Sequence, residues 1–81
     1  MSIKIMIADD HKLVSTSLIP LLNSQEGMQV IAEVGSGRKA VELAATLDPN
    51  IVVMDIGMAD LNGIEATRQI VSKHPHIKVI I

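Results

Sequence analysis

The stretch Ile3-Lys4-Ile5-Met6-Ile7-Ala8-Asp9-Asp10-His11 decides how the rest of the chain is read. An almost unbroken apolar run ends abruptly in two adjacent carboxylates. A short run without polar alternation is the pattern of a strand buried on both faces, as in parallel sheets covered by helices. The acids then stand at the strand's C-terminal end. The same figure returns at Ile51-Val52-Val53-Met54-Asp55, a wholly apolar strand that again ends in an acid.

Helical spacing fills the intervals. From Lys12 to about Gln25, Val14, Leu18, Leu21 and Leu22 fall on one apolar stripe. Pro20 lies inside this segment and removes one backbone bond, which predicts a kink, and Gly27 suits the C′ position beyond the helix. Met28 to Val34 reads as a second strand. Ser36 can cap a helix running to about Leu47, with Ala40, Val41, Ala44 and Leu47 inward. Asp48-Pro49-Asn50 is turn chemistry. After Asp55, a polar loop through Asn62-Gly63 leads to a third helix, with Ile64, Thr67, Ile70 and Val71 inward and Pro75 ending it. Ile77 to Ile81 reads as a fourth strand. The order β-α-β-α-β-α-β, with apolar strands, predicts an α/β fold: an open, doubly wound parallel sheet with right-handed crossovers.

Composition narrows the function. The 81 residues suit one small domain, and 48% apolar content excludes disorder. There is no Phe, Tyr or Trp, which excludes base-stacking platforms, and a net charge of −2 offers no basic footprint for phosphate backbones. No cysteine means no disulfide framework, thiolate metal site or Cys nucleophile. The N-terminal apolar run reaches charge at Asp9, too soon for a signal peptide or a membrane span. A cytoplasmic domain with no membrane contact is the expectation.

Ligands of open α/β sheets bind beyond the carboxyl ends of the strands. If the first and third strands are neighbours, Asp9, Asp10 and Asp55 converge there. Three close carboxylates repel one another unless protons or a cation join them. An all-oxygen site of this kind suits Mg²⁺, which keeps several waters and needs few protein ligands. Asp55 is also able to act as a nucleophile, taking a phosphoryl group as an acyl phosphate. Each Asp alone also has an ordinary reading as a strand end or helix cap. Two acid-terminated strands, one with a doubled acid, make that reading less comfortable.

Ile7-Ala8-Asp9-Asp10-His11, Gly35-Ser36-Gly37-Arg38-Lys39-Ala40-Val41-Glu42-Leu43-Ala44, Val53-Met54-Asp55-Ile56-Gly57-Met58 and Asn62-Gly63-Ile64-Glu65-Ala66-Thr67 together resemble the receiver domain of bacterial two-component response regulators, closest in look to the LuxR/NarL type. The resemblance spans residues 1–81 as the N-terminal part of such a domain. It implies a flavodoxin-like sheet of strand order 2-1-3-4-5, of which four strands are present here. It further implies that Asp55 accepts a phosphoryl group from a sensor histidine kinase, that Asp10, Asp55 and the carbonyl of Gly57 ligate Mg²⁺ directly, and that Asp9 acts through a metal-bound water. By the same resemblance the domain is a switch rather than a turnover enzyme, although it assists its own phosphorylation and slow hydrolysis. DNA binding would belong to an output module outside these residues.

Two departures accompany the match. Met58-Ala59 stands where the family usually has Met-Pro, which frees one φ in that loop. The family's Thr/Ser after the fourth strand and Lys after the fifth correspond to no residue present, and the last strand's apolar edge predicts either further chain or pairing with another protomer. Gly57 brings no side chain to the mouth of the site, which predicts easier attack by water on an acyl phosphate.

Other signals have weaker claims. Gly35-Ser36-Gly37-Arg38-Lys39-Ala40 fits the outline of a dinucleotide fingerprint but follows the second strand and leaves Asp9-Asp10 unexplained. Its glycines also suit a tight strand-to-helix turn. An inactive receiver-like fold used only for docking is the other alternative. His11 reads as an exposed residue at a helix entrance, and His74-Pro75-His76 as a solvated turn.

Overall fold

The computed structural model describes residues 2–81. Met1 and the side chain of Val14, including its expected part in the first helix's stripe, lie outside the described residues. β1 (Ile3–Ala8) runs between β2 (Met28–Val34) and β3 (Ile51–Met54), and β4 (Lys78–Ile80) pairs beyond β3. All pairings are parallel, giving the order β2-β1-β3-β4. The helices are α1 (Lys12–Asn23), α2 (Gly37–Leu47) and α3 (Gly63–Lys73). This is the expected doubly wound, flavodoxin-like arrangement.

Strand alternation divides the core. Met6, Ala8, Val52 and Met54 join Ala40 and Ala44 of α2 and Ala66 and Ile70 of α3 in one buried cluster. Ile5 and Ile7 are equally buried but lie outside it, on the opposite face of β1, while α1 packs against the neighbouring β2. The alanines let α2 and α3 approach the sheet closely, so aliphatic side chains and methionine fill the gap without aromatic rings. Ile70 is the largest α3 residue in this layer, and its truncation to Ala would cost roughly 2–5 kcal/mol.

The helix faces depart from their sequence reading in particular ways. α3 turns Gly63, Ala66 and Ile70 inward, leaving Ile64 and Val71 exposed. Gly63 sets this rotation by abutting the chain leaving β3, while the Asn62 side chain accepts from Glu65 N at 2.9 Å and fixes where the helix starts. Leu47 is exposed at the last turn of α2, and Leu21 is exposed on α1, whose apolar positions exceed what one face can bury. α1 ends at Asn23, short of Gln25, and continues through Pro20. The left-handed residue closing α2 is Asp48 (φ 50°), while Gly27 (φ 81°) turns the chain into β2 instead of sitting directly after α1. Ile77 is buried ahead of β4, which is three residues long. Asn50 ties β1 to β4 at the opposite edge: its Oδ1 accepts from Lys4 N at 2.8 Å, and its carbonyl accepts from Lys78 N at 3.0 Å. No helix among the described residues is long and apolar enough to cross a membrane.

Candidate phosphoryl and cation site

β1 and β3 are direct neighbours, with Ala8 opposite Met54. The residues following each strand therefore emerge at one level. Asp9 N donates to Val34 O at 2.9 Å and Asp55 N to Ala8 O at 2.8 Å, extending both ladders one residue past the strands. These bonds fix where the Asp9 and Asp55 side chains leave the backbone. Oxygens of Asp9, Asp10 and Asp55 and a ring nitrogen of His11 all lie within 4.8 Å of one another. The Asp9 and Asp55 side chains are 16% and 20% exposed, against 41% for Asp10 and 66% for His11.

The two oxygens of Asp55 are not equivalent. Oδ1 accepts the Gly57 amide at 3.1 Å. Oδ2 is buried and has no hydrogen-bond partner among the described residues. His11 Nδ1 stands 3.3 Å from it, near enough for charge attraction without hydrogen-bond geometry. A buried carboxylate oxygen with no donor, beside two further carboxylates, is costly until a cation joins it. The donors are oxygens, and the site opens to solvent through Asp10. That set fits a hard divalent cation with retained waters, as Mg²⁺ requires. Gly57 sits two residues beyond Asp55, and a Cβ there would meet only Asp55 Oδ1, at 3.8 Å.

His11 is exposed, as expected, but belongs to the cluster. Its backbone amide donates to Asp9 Oδ1 at 2.7 Å, and its Nδ1 lies 2.8 Å from the same oxygen and 3.3 Å from Asp10 Oδ1. The hydrogen bond to Asp9, followed by the charges of Asp9, Asp10 and Asp55, raises the His11 pKa above its ordinary value. Its adjacency to the acidic pair was the available signal.

Asp60 had no such signal. It lies in the loop between β3 and α3 yet reaches the N-terminus of α2, where Ser36 Oγ donates to Oδ2 at 2.5 Å and Gly37 N to Oδ1 at 3.0 Å. The Ser36 hydroxyl, then backbone amides, hold its carboxyl well below the usual carboxylate range. Ser36 in turn caps α2 as expected, accepting from Lys39 N at 3.1 Å. The glycine motif here serves packing, because a Cβ on Gly37 would stand 1.9 Å from Leu61 O. That contact explains Gly37 without a dinucleotide. At the far edge of the sheet, His76 Nε2 meets Asp48 Oδ1 at 2.5 Å on the surface, away from the acids.

The response regulator receiver domain family matches residues 5–81. The chain is 40% identical to the response regulator GacA of Pseudomonas syringae pv. syringae over 78 residues, covering 96% of this chain and 36% of that relative. It thus spans little more than a third of that relative's length. Among solved structures, the receiver domain of Thermotoga maritima CheB superposes with a TM-score of 0.91 at 35% identity, covering 98% of this chain and 58% of that one. A LuxR-family two-component response regulator from an Aurantimonas species gives 0.89 at 33% identity, covering 98% and 56%. With the strand order, the acid-terminated strands and the match to nearly every residue in agreement, the chain belongs to the response regulator receiver domain family.

Proposed function

We propose that Asp55 is the phosphoacceptor of this receiver domain and that the donor is the phosphohistidine of a sensor kinase. The observation that carries the reading is the buried, unpartnered Asp55 Oδ2 among Asp9, Asp10 and His11. Gly57 N holds Oδ1, and Asp55 offers one oxygen to a cation and the other as the attacking atom. Its bond to phosphorus forms as the donor's phosphorus–nitrogen bond breaks, and the electron pair returns to the donor imidazole. Asp9, Asp10, Asp55 and the Gly57 carbonyl would hold Mg²⁺. When bound, that ion neutralises charge on the transferring oxygens. The domain acts as a switch that assists its own phosphorylation and its slow return by hydrolysis. Similarity to a LuxR-family regulator supports a cytoplasmic transcriptional role through a DNA-binding module outside these residues.

Incubation with Mg²⁺ and acetyl phosphate, followed by intact mass and peptide mapping, tests this. One phosphoryl group on Asp55, absent from Asp55→Asn, is the expected result. No incorporation, or equal incorporation into the variant, would overturn it in favour of a docking module.

A further inference from the structure

The loop from Asp55 to Asn62 is held at both ends. At the inner end, Gly63 N donates to Ile56 O at 3.0 Å, and the missing Cβ of Gly63 leaves room for the Asp55 carbonyl, whose oxygen lies 2.2 Å from where that Cβ would stand. At the outer end, Asp60 accepts from Ser36 Oγ and Gly37 N, and the Leu61 carbonyl fills the space where Gly37 lacks a Cβ. Met58, 4% exposed, is the apolar anchor between them.

α2 has reason to take a carboxylate from elsewhere. Its first turn contains no acidic residue of its own and carries Arg38 and Lys39. A helix N-terminus with unpaired amides favours negative charge. Asp60 supplies that charge across 23 residues of sequence from Gly37. The same carboxylate therefore ends α2 and fixes the loop that bears Gly57.

We propose that Asp60 is a positioning residue for the cation and phosphoryl site, pinning the β3–α3 loop to the N-terminus of α2 so that the Gly57 backbone and Asp55 are held in place. This rests on the reading of Asp55 and its neighbours as that site. Because linkage is reciprocal, a cation at the acids also steadies the first turn of α2 through Asp60.

The test measures Mg²⁺ affinity by calorimetry and amide hydrogen exchange by NMR in the wild type, Asp60→Ala, Asp60→Asn and Asp60→Ala/Arg38→Glu, with Arg38→Glu as the charge reference. Asp60→Ala should weaken Mg²⁺ about fivefold, less than the loss of a group bonded directly to a metal ligand, because Asp60 acts through the loop. It should also speed exchange at Gly57. Asp60→Asn keeps an acceptor for Gly37 N and should recover most of the affinity. The double variant returns an acid to α2 without reconnecting the loop. Its melting temperature should recover while its affinity stays weak relative to Arg38→Glu. In the wild type alone, Mg²⁺ should slow exchange at Gly37 and Arg38. Unchanged affinity in Asp60→Ala, or affinity that recovers with the melting temperature in the double variant, would overturn the proposal. A wild type that binds no Mg²⁺ would instead overturn the reading of the site itself.

Discussion

The amide of Asp55 donates to the carbonyl of Ala8 at 2.8 Å, one residue beyond the last paired position of β3 and β1. This rung sets Asp55 level with Asp9 and Asp10 and makes their mutual repulsion a property of the fold. Asp55→Asn keeps an acceptor for the Gly57 amide and removes one charge of three. In cation-free buffer it should leave the protein as stable or more stable, by about 1 kcal/mol, the scale of a single charge contact near a surface. Urea denaturation of both proteins in chelator checks this. A clear loss of stability would mean that the Asp55 charge is already compensated by His11.

The same cluster predicts a competition. His11 Nδ1 stands within 3.3 Å of oxygens on all three acids. Any cation that engages those oxygens must displace these contacts. His11→Ala should therefore tighten Mg²⁺ binding by a few-fold at most, because the contacts it removes are solvent-exposed. Asp10→Asn should weaken it, and in the wild type Mg²⁺ should raise the melting temperature reversibly on chelation. Calorimetric titration of the three proteins reads the order directly. Equal affinity in His11→Ala and the wild type would show that the imidazole does not contend for the site.

The fold and the acids were legible because they depend on short-range pattern. Apolar strands ending in Asp9-Asp10 and Asp55 need only their spacing and the parallel-sheet rules to meet at one edge. What periodicity could not settle was rotation. The inward face of α3 follows from the close contact of Gly63 with Asp55 O, a tertiary fact, while the Asn62 cap is local and fixes only where the helix starts. Ile64 and Val71 fit a stripe equally well on paper. Asp60 was silent for a related reason. Its partners, Ser36 and Gly37, are more than twenty residues away, and a lone loop acid carries no signal of what it will reach.

Acid should release that contact. The folded-state pKa of Asp60 is depressed by the Ser36 hydroxyl, then by the Leu61 amide and the Gly37 and Arg38 amides of α2. A depressed carboxylate contributes stability that is present above its unfolded value, near pH 4, and is lost as pH falls toward the folded value. Asp48, lowered by its hydrogen bond to His76, acts in the same direction. Stability should therefore decline below about pH 4, and Asp60→Asn should flatten that decline. Urea midpoints measured down to about pH 2 give the slope. Identical slopes in the two proteins would remove Asp60 from the acid response.

Gly57→Asn addresses the lifetime of the phosphorylated state. Open space surrounds a Cβ at position 57 apart from Asp55 Oδ1 at 3.8 Å, so the side chain can be added without disturbing the fold. An amide there would crowd the approach of water to an acyl phosphate on Asp55. The phosphorylated form should persist several-fold longer, as about 1 kcal/mol on the hydrolytic barrier implies. Decay followed by intact mass after removal of the donor checks it, and an unchanged lifetime would show that water reaches the phosphorus from elsewhere.

Gly35, Gly37 and Gly63 should separate sharply under substitution by alanine. Gly35 would gain a Cβ at 3.8 Å from Asp10 atoms, an ordinary contact, so Gly35→Ala should be nearly neutral. Gly37→Ala forces a methyl to 1.9 Å from Leu61 O, and Gly63→Ala forces one to 2.2 Å from Asp55 O. Both oppose backbone, which cannot swing aside as a side chain can. Each should lose about 1–3 kcal/mol or more, the usual scale of overpacking. Their effects on the site should then differ. Gly63→Ala pushes on Asp55 itself and should weaken Mg²⁺ strongly, whereas Gly37→Ala acts only through the loop and should weaken it less. Denaturation and calorimetry on the three variants supply both readings. If Gly35→Ala proved the most damaging of the three, the glycines would be serving the turn and a ligand there, not the packing of the β3–α3 loop against α2.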